Sequence, residues 1–221
     1  TQTYARILLG EGLFTLREAA VGFVAGVIIG LALAMVLVRS RWLDRGVVPY
    51  IIASQTVPLI AIAPIIVIWG RTNFDFLPWD WQDWMSVSII ATYLTFFPVA
   101  INGLRGLKSP APADLELMES YAASWSQTMW RLRLPAAVPY LFAAFKIAAT
   151  ASIVGAIVGE ISAGVSGGLG RRLLNEAFNY TTGPDRLYAS VIGAAVLGIA
   201  VFLFVVAAER MVLGQQHREA I

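Results

Sequence analysis

The sequence predicts an all-α membrane protein, and three observations support that prediction. Of the 221 residues, 58% are hydrophobic and only 14% are charged, whereas soluble domains carry about 25% charged residues. The mean hydropathy is +0.71. Five apolar runs have the length of about 20 residues that crosses a hydrocarbon core of about 30 Å. Because apolar residues lie on every side of each run, these are not amphipathic surface helices.

The five predicted spans are residues 19–38, 47–70, 85–104, 136–159 and 187–208. The first contains no charged residue, and the second is interrupted by Pro49, Pro58 and Pro64. No internal repeat, heptad pattern or low-complexity tract divides the chain. We therefore predict one transmembrane domain over residues 1–221.

The charges of the connections orient the spans. The first connection contains Arg39, Arg41 and Arg45, and the third contains Arg105, Lys108, Arg131 and Arg133. By the positive-inside rule both are cytoplasmic, so the acidic second connection lies outside, with Asp75, Asp80 and Asp83. The N-terminus is then outside and the C-terminus inside. Five spans with an outside N-terminus favour a sixth span upstream of Thr1, although residues 1–17 as an interfacial helix are the alternative.

Composition excludes several classes of function. A net charge of +2 does not suggest a nucleic-acid partner. The chain has no cysteine and one histidine, so we expect no disulfide and no metal site. It also lacks the GxxxxGK[ST] phosphate loop, because GGLGRR at residues 167–172 has neither the lysine nor the hydroxyl. We predict neither catalytic residues nor a cofactor of its own.

The connection at residues 161–186 is too long for a turn. It begins with glycine-rich chain, and a short helix is predicted over Arg171–Asn179, followed by a turn at TTGPD. It is either a segment at the mouth of a pathway or a loop without a role.

The long connection at residues 105–135 carries the main functional signal. Pro110 and Pro112 force extended chain, and a short helix is predicted from Asp114, whose carboxylate can cap it. Its apolar face comprises Leu115, Met118 and Ala122, and its acidic face comprises Glu116 and Glu119. The helix either lies flat on the membrane or inserts into a groove of a soluble partner. Glutamates in place of lysines favour the partner.

The same loop resembles the cytoplasmic signature of binding-protein-dependent ABC importer permeases. That signature is a Glu-Ala-Ala start, a small residue six positions on, and a later Leu and Pro. The matching positions here are Glu116, Leu117, Met118, Ala122, Leu132, Leu134 and Pro135. The flanking TVPLIAIAPIIVIWG and PAAVPYLFAAFKIAATASIVGAIVGE are also similar to these permeases, so the resemblance extends from Leu16 onward. It is closest to the branch that serves nitrate, taurine, sulfonates and heterocyclic vitamin precursors.

The resemblance implies a type I ABC importer (MetI-like) permease fold in a bacterial plasma membrane. The helix near residues 114–124 would be the coupling helix, seated in a cleft of a cytoplasmic ATPase. The implied coupling residues are Asp114, Leu115, Glu116, Met118, Glu119, Ala122 and Pro135. Implied partners are an ATPase dimer that binds ATP and Mg, a second permease copy, an external substrate-binding protein and the bilayer. The implied cargo is a small anionic or heterocyclic solute, such as a sulfonate, nitrate, riboflavin or a thiamine pyrimidine.

One departure from the family pattern concerns Ala122, where the family has glycine. A left-handed turn costs about 1 kcal/mol more with alanine than with glycine. The sequence therefore predicts that the break is a plain helical bend or lies elsewhere.

Within the spans, five residues are candidates for lining a pathway: Gln55, Thr56, Thr95, Phe96 and Glu160. Ordinary kinks explain Gln55 and Thr56 equally well, packing is the more common role for Thr95 and Phe96, and Glu160 could instead be solvated. We expect Lys146 to extend to the cytoplasmic interface. Five glycines predict close helix packing, within the subunit or across a dimer: Gly22, Gly26, Gly30, Gly155 and Gly159. The alternative functions are an ATPase-independent secondary transporter or channel, and a scaffold subunit that binds without transport.

Overall fold

The computed structural model describes residues 2–73 and 80–219, with side chains described over residues 4–73 and 80–214. Within those ranges the chain forms α-helices, one π-helical turn and their connections, and no strand. The helices are α1 (Gln2–Val38), α2 (Arg41–Ser54), α3 (Leu59–Asn73), α4 (Asp83–Leu107), α5 (Pro112–Ser120), α6 (Trp125–Thr128), α7 (Leu134–Ala163), α8 (Leu169–Phe178) and α9 (Pro184–Glu219). The π-helical turn, Met129–Arg133, joins α6 to α7. The prediction of an all-α membrane protein is confirmed.

Helix α4 lies at the centre of the molecule, between α1 and α7. The glycine ridge of α1 faces it: a Cβ at Gly26 would lie 2.5 Å from Thr95 Cβ, and one at Gly30 would lie 2.7 Å from the Phe96 carbonyl oxygen. On the other side, a Cβ at Gly155 would lie 2.9 Å from Ala91 Cα. These glycines therefore allow three backbones to pack closely within the subunit.

Gly22 and Gly159 complete the two contacts. A Cβ at Gly22 would overlap Ala91, and one at Gly159 would lie 3.1 Å from Val87 Cγ1. Ala91 is thus packed between Gly22 of α1 and Gly155 of α7 and has no exposed surface. Both glycine motifs pack on α4 of the same chain. The close packing therefore occurs within the subunit and not across a dimer.

Helix α1 is longer than the span predicted at residues 19–38. At 1.5 Å per residue, its 37 residues extend about 55 Å, more than the hydrocarbon core requires. Residues 2–17 continue the first span as one helix, so the alternative of a separate interfacial helix is wrong. Helix α9 likewise extends beyond residues 187–208 at both ends.

The predicted second span, residues 47–70, is not one helix. It divides into α2 and α3, which meet at an angle of 93°. Pro58 supplies the reason, because it lacks an N–H and disfavours helical geometry at the residue before it. Pro49 and Pro64 lie inside α2 and α3 without ending them. Of the described helices, four are long and apolar enough to span, and five spans result if the bent pair counts as one.

The connections between spans define two ends of the molecule. At the end predicted to be outside, Arg71 of α3 binds Asp83 of α4 at 2.6 Å. Residues 74–79 of this connection, including Asp75, lie outside the described residues. At the same end α7 stops at Gly164, whose φ of +66° gives the left-handed cap that favours glycine. The short helix predicted at residues 171–179 corresponds to α8.

Candidate functional site

The loop at residues 105–135 is firmly attached where it leaves and rejoins the bundle. Lys108, directly after α4, binds Asp44 of α2 at 2.6 Å. Arg133 Nη1 donates to the Leu107 carbonyl at 2.8 Å. Met129 is buried and packs with Leu37 and other core residues. The loop is therefore held against the ends of α1, α2 and α4.

Helix α5 begins at Pro112, two residues before the predicted start. Ala111 is the N-cap in extended conformation, as expected for a residue before proline, and Pro112 occupies the first turn. Asp114 makes no capping hydrogen bond, so its predicted capping role is wrong. Its carboxylate still lies in the first turn, where the helix dipole favours negative charge.

Helix α5 ends in a left-handed turn at Ala122, whose φ is +50°. The Ala123 N–H donates to the Met118 carbonyl at 3.0 Å, and the Ala122 N–H donates to the Glu119 carbonyl at 2.9 Å. This pair of bonds is the Schellman motif, which usually places glycine where Ala122 stands. The expectation of a plain bend or a break elsewhere is wrong, because the chain accepts the strain of an alanine in this conformation.

A second short helix follows the turn at once. Ser124 Oγ accepts from the Gln127 N–H, and the Gln127 side chain accepts from the Ser124 N–H at 2.7 Å, which makes a capping box. The π-helical turn then brings the Leu134 N–H to the Met129 carbonyl. Pro135 explains this widened turn, since it lacks an N–H and its ring would clash with a carbonyl of a regular helix.

The apolar face predicted for α5 does not point outward. Leu115 and Met118 are half-buried, and Leu115 lines a cavity of about 370 Å³ shared with α1, α2 and Arg133. The outward surface instead combines Leu117, which is 54% exposed, and Tyr121, which is 76% exposed, with exposed Glu116 and Glu119. The sequence analysis did not assign Leu117 and Tyr121 to the outward face, although their i, i+4 spacing is a helical signal.

Two exposed tryptophans extend this outward surface beyond the turn. Trp125 and Trp130 are both exposed. The Arg39 guanidinium lies 5.0 Å from the centre of the Trp125 ring, so a cation–π contact links the second half of the loop to the end of α1.

Three of the five pathway candidates lie near the break between α2 and α3. Gln55 is half-buried and Thr56 is exposed within the break itself. The Tyr93 hydroxyl of α4 donates to the Ser54 carbonyl at the end of α2, and the Tyr93 and Phe96 rings are 5.9 Å apart. Polar groups and aromatic rings thus meet where the backbone leaves the helical path. Sequence reasoning missed Tyr93.

The other two candidates do not belong to this group. Thr95 is completely buried, and its hydroxyl lies 3.5 Å from the Ala148 carbonyl, while its Cβ packs on Gly26. One residue rotates the side chain by about 100° around a helix, so Phe96 points in another direction and is only partly buried. Thr95 is a packing residue, and pathway lining is the wrong interpretation of it.

Glu160 is likewise fully buried rather than solvated. Its carboxylate accepts from the Thr15 hydroxyl at 2.6 Å and from the Gly170 N–H at 2.5 Å. Glu18, which is also fully buried, lies beside it. Sequence reasoning missed Glu18 because it precedes the first predicted span by one residue.

Lys146 is paired with a carboxylate at the end of α9 that is predicted to be cytoplasmic. Its ammonium lies 2.9 Å from a Glu209 carboxylate oxygen, and both side chains are largely buried. The ion pair joins α7 to α9. Among the described residues, no group of three or more histidine, aspartate or glutamate side chains could hold a metal ion.

Comparison with known proteins identifies the family. Residues 26–214 match the model of the binding-protein-dependent transport system inner membrane component. The chain belongs to this family. The matched residues include the α2–α3 break and the loop between α4 and α7.

Curated relatives belong to the same class. The chain is 31% identical to the formylaminopyrimidine transport permease ThiX of Halalkalibacterium halodurans, over 96% of the chain and 82% of the relative. It is 26% identical to the putative aliphatic sulfonates transport permease SsuC of Bacillus subtilis, over 96% and 74%. It is 24% identical to the nitrate import permease NrtB of Synechocystis, over 95% and 72%.

The fold agrees with a solved transporter. Inward-facing conformations of the MetNI methionine ABC transporter match with a TM-score of 0.82 at 16% identity, over 96% of this chain and 99% of that one. The protein is therefore a multi-pass inner-membrane permease subunit of an ABC importer, and it is not itself an enzyme. Membership in a binding-protein-dependent family implies an ATPase and a substrate-binding protein as partners.

Proposed function

We propose that the chain forms half of a permease dimer in which the outward surface of the α5 loop contacts the ATPase subunits. That surface comprises Leu117 and Tyr121 together with Glu116 and Glu119, and it is unoccupied by any part of the chain that the structure describes. ATP and Mg are bound by the ATPase, not by this chain. Closure of the two ATPases draws the loops together and opens the pathway outward, and hydrolysis restores the inward-facing state.

Attachment of the loop to the bundle supports this coupling. Arg133 and Met129 link the loop to the ends of α4, α1 and α7. A contact that moves Tyr121 therefore moves the ends of these helices as well. Leu115 and Met118, which face the bundle, hold α5 in place, while the outward residues make the contact.

Co-purification tests the coupling surface. Leu117→Asp combined with Tyr121→Asp places two charges on the outward face without touching the buried face of α5. Recovery of the ATPase with the permease should fall at least tenfold. The matched control is Phe178→Ser, an aromatic residue 80% exposed at the opposite end of the molecule, which should leave recovery unchanged. Equal recovery with all variants would contradict the proposal.

We further propose that the cargo is a small aromatic heterocycle of the aminopyrimidine class and that it passes the α2–α3 break. The single observation that carries this is the pair of rings, Tyr93 and Phe96, beside the polar break at Gln55 and Thr56. A flat ring stacks on aromatic side chains, and an amide side chain can pair with its ring nitrogens. The similarity to a formylaminopyrimidine permease supports the same class.

Uptake measurements test the cargo. Cells that express the complete transporter should accumulate labelled aminopyrimidine in preference to taurine and nitrate. Tyr93→Phe keeps the ring and removes the hydroxyl, whereas Tyr93→Leu removes both, so stacking predicts that only the leucine variant loses uptake by tenfold or more. Preferential uptake of taurine or nitrate by the unmodified transporter would refute the heterocycle assignment and leave the coupling surface unaffected.

A further inference from the structure

The outer end of the bundle contains two buried carboxyl groups that the transport function does not explain. Glu18 of α1 and Glu160 of α7 have no exposed surface. Thr15, one helical turn before Glu18, donates to Glu160, so the two carboxyl groups lie at the same contact between α1 and α7. An isolated buried carboxylate is strongly disfavoured, and two adjacent carboxylates repel each other in addition. The pair therefore requires a compensating positive charge.

The hydrogen bonds distinguish the two members. Glu160 accepts from the Thr15 hydroxyl at 2.6 Å and from the Gly170 N–H at 2.5 Å, both of which stabilise its anionic form. Neither oxygen of Glu18 has a hydrogen-bond donor anywhere in the described part of the chain. Glu18 is thus the member without support for a negative charge.

The charged groups around the pair do not neutralise it. On α1, Glu11 accepts from the Gly168 N–H at 2.6 Å and adds negative charge. Arg17 is the nearest cation, but its guanidinium lies 3.9 Å from the centre of the Trp84 ring and makes no hydrogen bond to Glu18. Other charged residues at this end are engaged elsewhere. Arg172 binds Glu176 on α8, and Asp83 at the start of α4 binds Arg71. Arg186 of α9 lies near the Tyr4 ring.

We propose that Glu18 and Glu160 form a proton-binding site in which Glu18 carries the proton and donates it to the Glu160 carboxylate. This arrangement gives Glu18 the partner that it otherwise lacks and adds a third donor to Glu160. It leaves one negative charge in the pair instead of two. The described residues bring together no group of three His, Asp or Glu side chains here, which favours a proton over a metal ion as the compensating charge.

The proton-binding site also holds α8 at the outer end. Three successive backbone amides at the start of α8 donate to side chains of α1 and α7. The Gly168 N–H donates to Glu11, and the Leu169 N–H donates to the Thr15 hydroxyl at 2.8 Å. The Gly170 N–H donates to Glu160. A side chain at Gly168, where φ is +94°, would overlap the Glu160 carboxylate. Loss of the proton would place two anions together and favour separation of α1 from α7 and α8.

The sign of the pH dependence follows from proton counting. Near neutral pH the folded protein holds a proton that exposed glutamates of the unfolded chain do not. Stability therefore falls as pH rises through the range in which the shared proton is lost. Glu18→Gln retains a hydrogen-bond donor without a titrating proton, so it should abolish this component of the pH dependence.

Infrared spectroscopy of the full chain in lipid nanodiscs tests the proposal directly. At neutral pH the wild type should show the carbonyl stretch of a protonated carboxylic acid, shifted on transfer to deuterated buffer. Glu18→Gln should lose this band. Glu176→Gln, which removes a carboxylate paired with Arg172, should keep it. Absence of the band from the wild type, or its persistence in Glu18→Gln, would overturn the proposal.

Thermal unfolding supplies a second readout. The wild-type midpoint should fall between about pH 6 and about pH 9 by more than that of Glu18→Gln. If Glu18→Gln does not fold, Glu18→Met, which also removes the acid, replaces it in both experiments, with the same expected loss of the band. A wild-type midpoint that responds to sodium or potassium concentration but not to pH would replace the proton by a metal cation and refute the assignment.

Discussion

The close packing of α1 on α4 predicts a large penalty for adding one methyl group at Gly26. The new Cβ would lie 2.5 Å from Thr95 Cβ, 2.6 Å from Thr95 Cγ2 and 3.0 Å from the Thr92 carbonyl oxygen, where ordinary contact begins at 3.4 Å. Because Thr95 is fully buried, its side chain has no free space to enter. The helices must separate by roughly the missing 1 Å.

The magnitude follows from two opposing effects. Overpacking a close helix contact costs about 1–3 kcal/mol, while alanine in place of glycine favours the helix by about 0.5–1 kcal/mol. The net loss for Gly26→Ala is therefore about 1–2 kcal/mol, which lowers the unfolding midpoint by about 2–8 °C. Gly10→Ala is the matched control in the same helix, because no heavy atom lies within 4 Å of its added Cβ. It should be neutral or stabilising.

The assay is thermal unfolding of both variants in nanodiscs at one scan rate, since unfolding of a membrane protein is often irreversible. Gly26→Ala combined with Thr95→Gly tests the mechanism, because it removes the obstructing side chain. The double variant should recover part of the loss caused by Gly26→Ala, measured against Thr95→Gly alone. Equal midpoints for Gly26→Ala and Gly10→Ala would refute the reasoning.

Two further predictions concern the loop and the ion pair. Ala122→Gly should stabilise the turn by about 1 kcal/mol, because glycine adopts the left-handed conformation without strain. Ala113→Gly, inside α5, should destabilise that helix by a similar amount. Amide hydrogen exchange in the loop measures both effects. Lys146→Met or Glu209→Met alone should lower the free energy of unfolding by about 1–3 kcal/mol, because each leaves an unpaired charge. This range allows for the partial exposure of both side chains. The double variant should cost less than the sum, and a purely additive cycle would contradict the ion pair.

Most of the fold was predictable because the strongest signal in this chain is the length of its apolar runs. The glycine spacing of α1 and α7 also predicted close packing, although it could not identify the partner helix. The identity of the partner helix depends on which of its residues face each glycine ridge. Ala91 of α4 fits because its small side chain allows α1 and α7 to approach α4 from both sides. The break at Pro58 was visible as a proline, but its angle depends on packing that a single sequence does not contain.

The site was less predictable, and the errors have physical causes. Leu115 and Met118 were predicted to face a partner because they are apolar, yet the bundle itself buries that face of α5. Tyr121 was not assigned to the outward face because Leu115 and Met118 were taken as the apolar face that meets the partner. Glu18 was missed because a residue at the edge of a span is normally solvated, and its burial depends on α7 and α8, which are distant in sequence. Long-range contacts determine each of these outcomes.

The packing suggests how events at the two ends of the molecule are connected. Helix α4 is packed without space between α1 and α7, so the three helices move together more readily than they slide past one another. The α5 loop is attached to this unit at one end through Arg133 and the buried Met129. Helix α8 is attached to it at the other end through the carboxylate of Glu160. In the proposed mechanism a displacement imposed at the loop reaches α8 through α7, which is a single continuous helix. We expect this unit to transmit the movement, and we propose that the break at Pro58 lies beside the pathway.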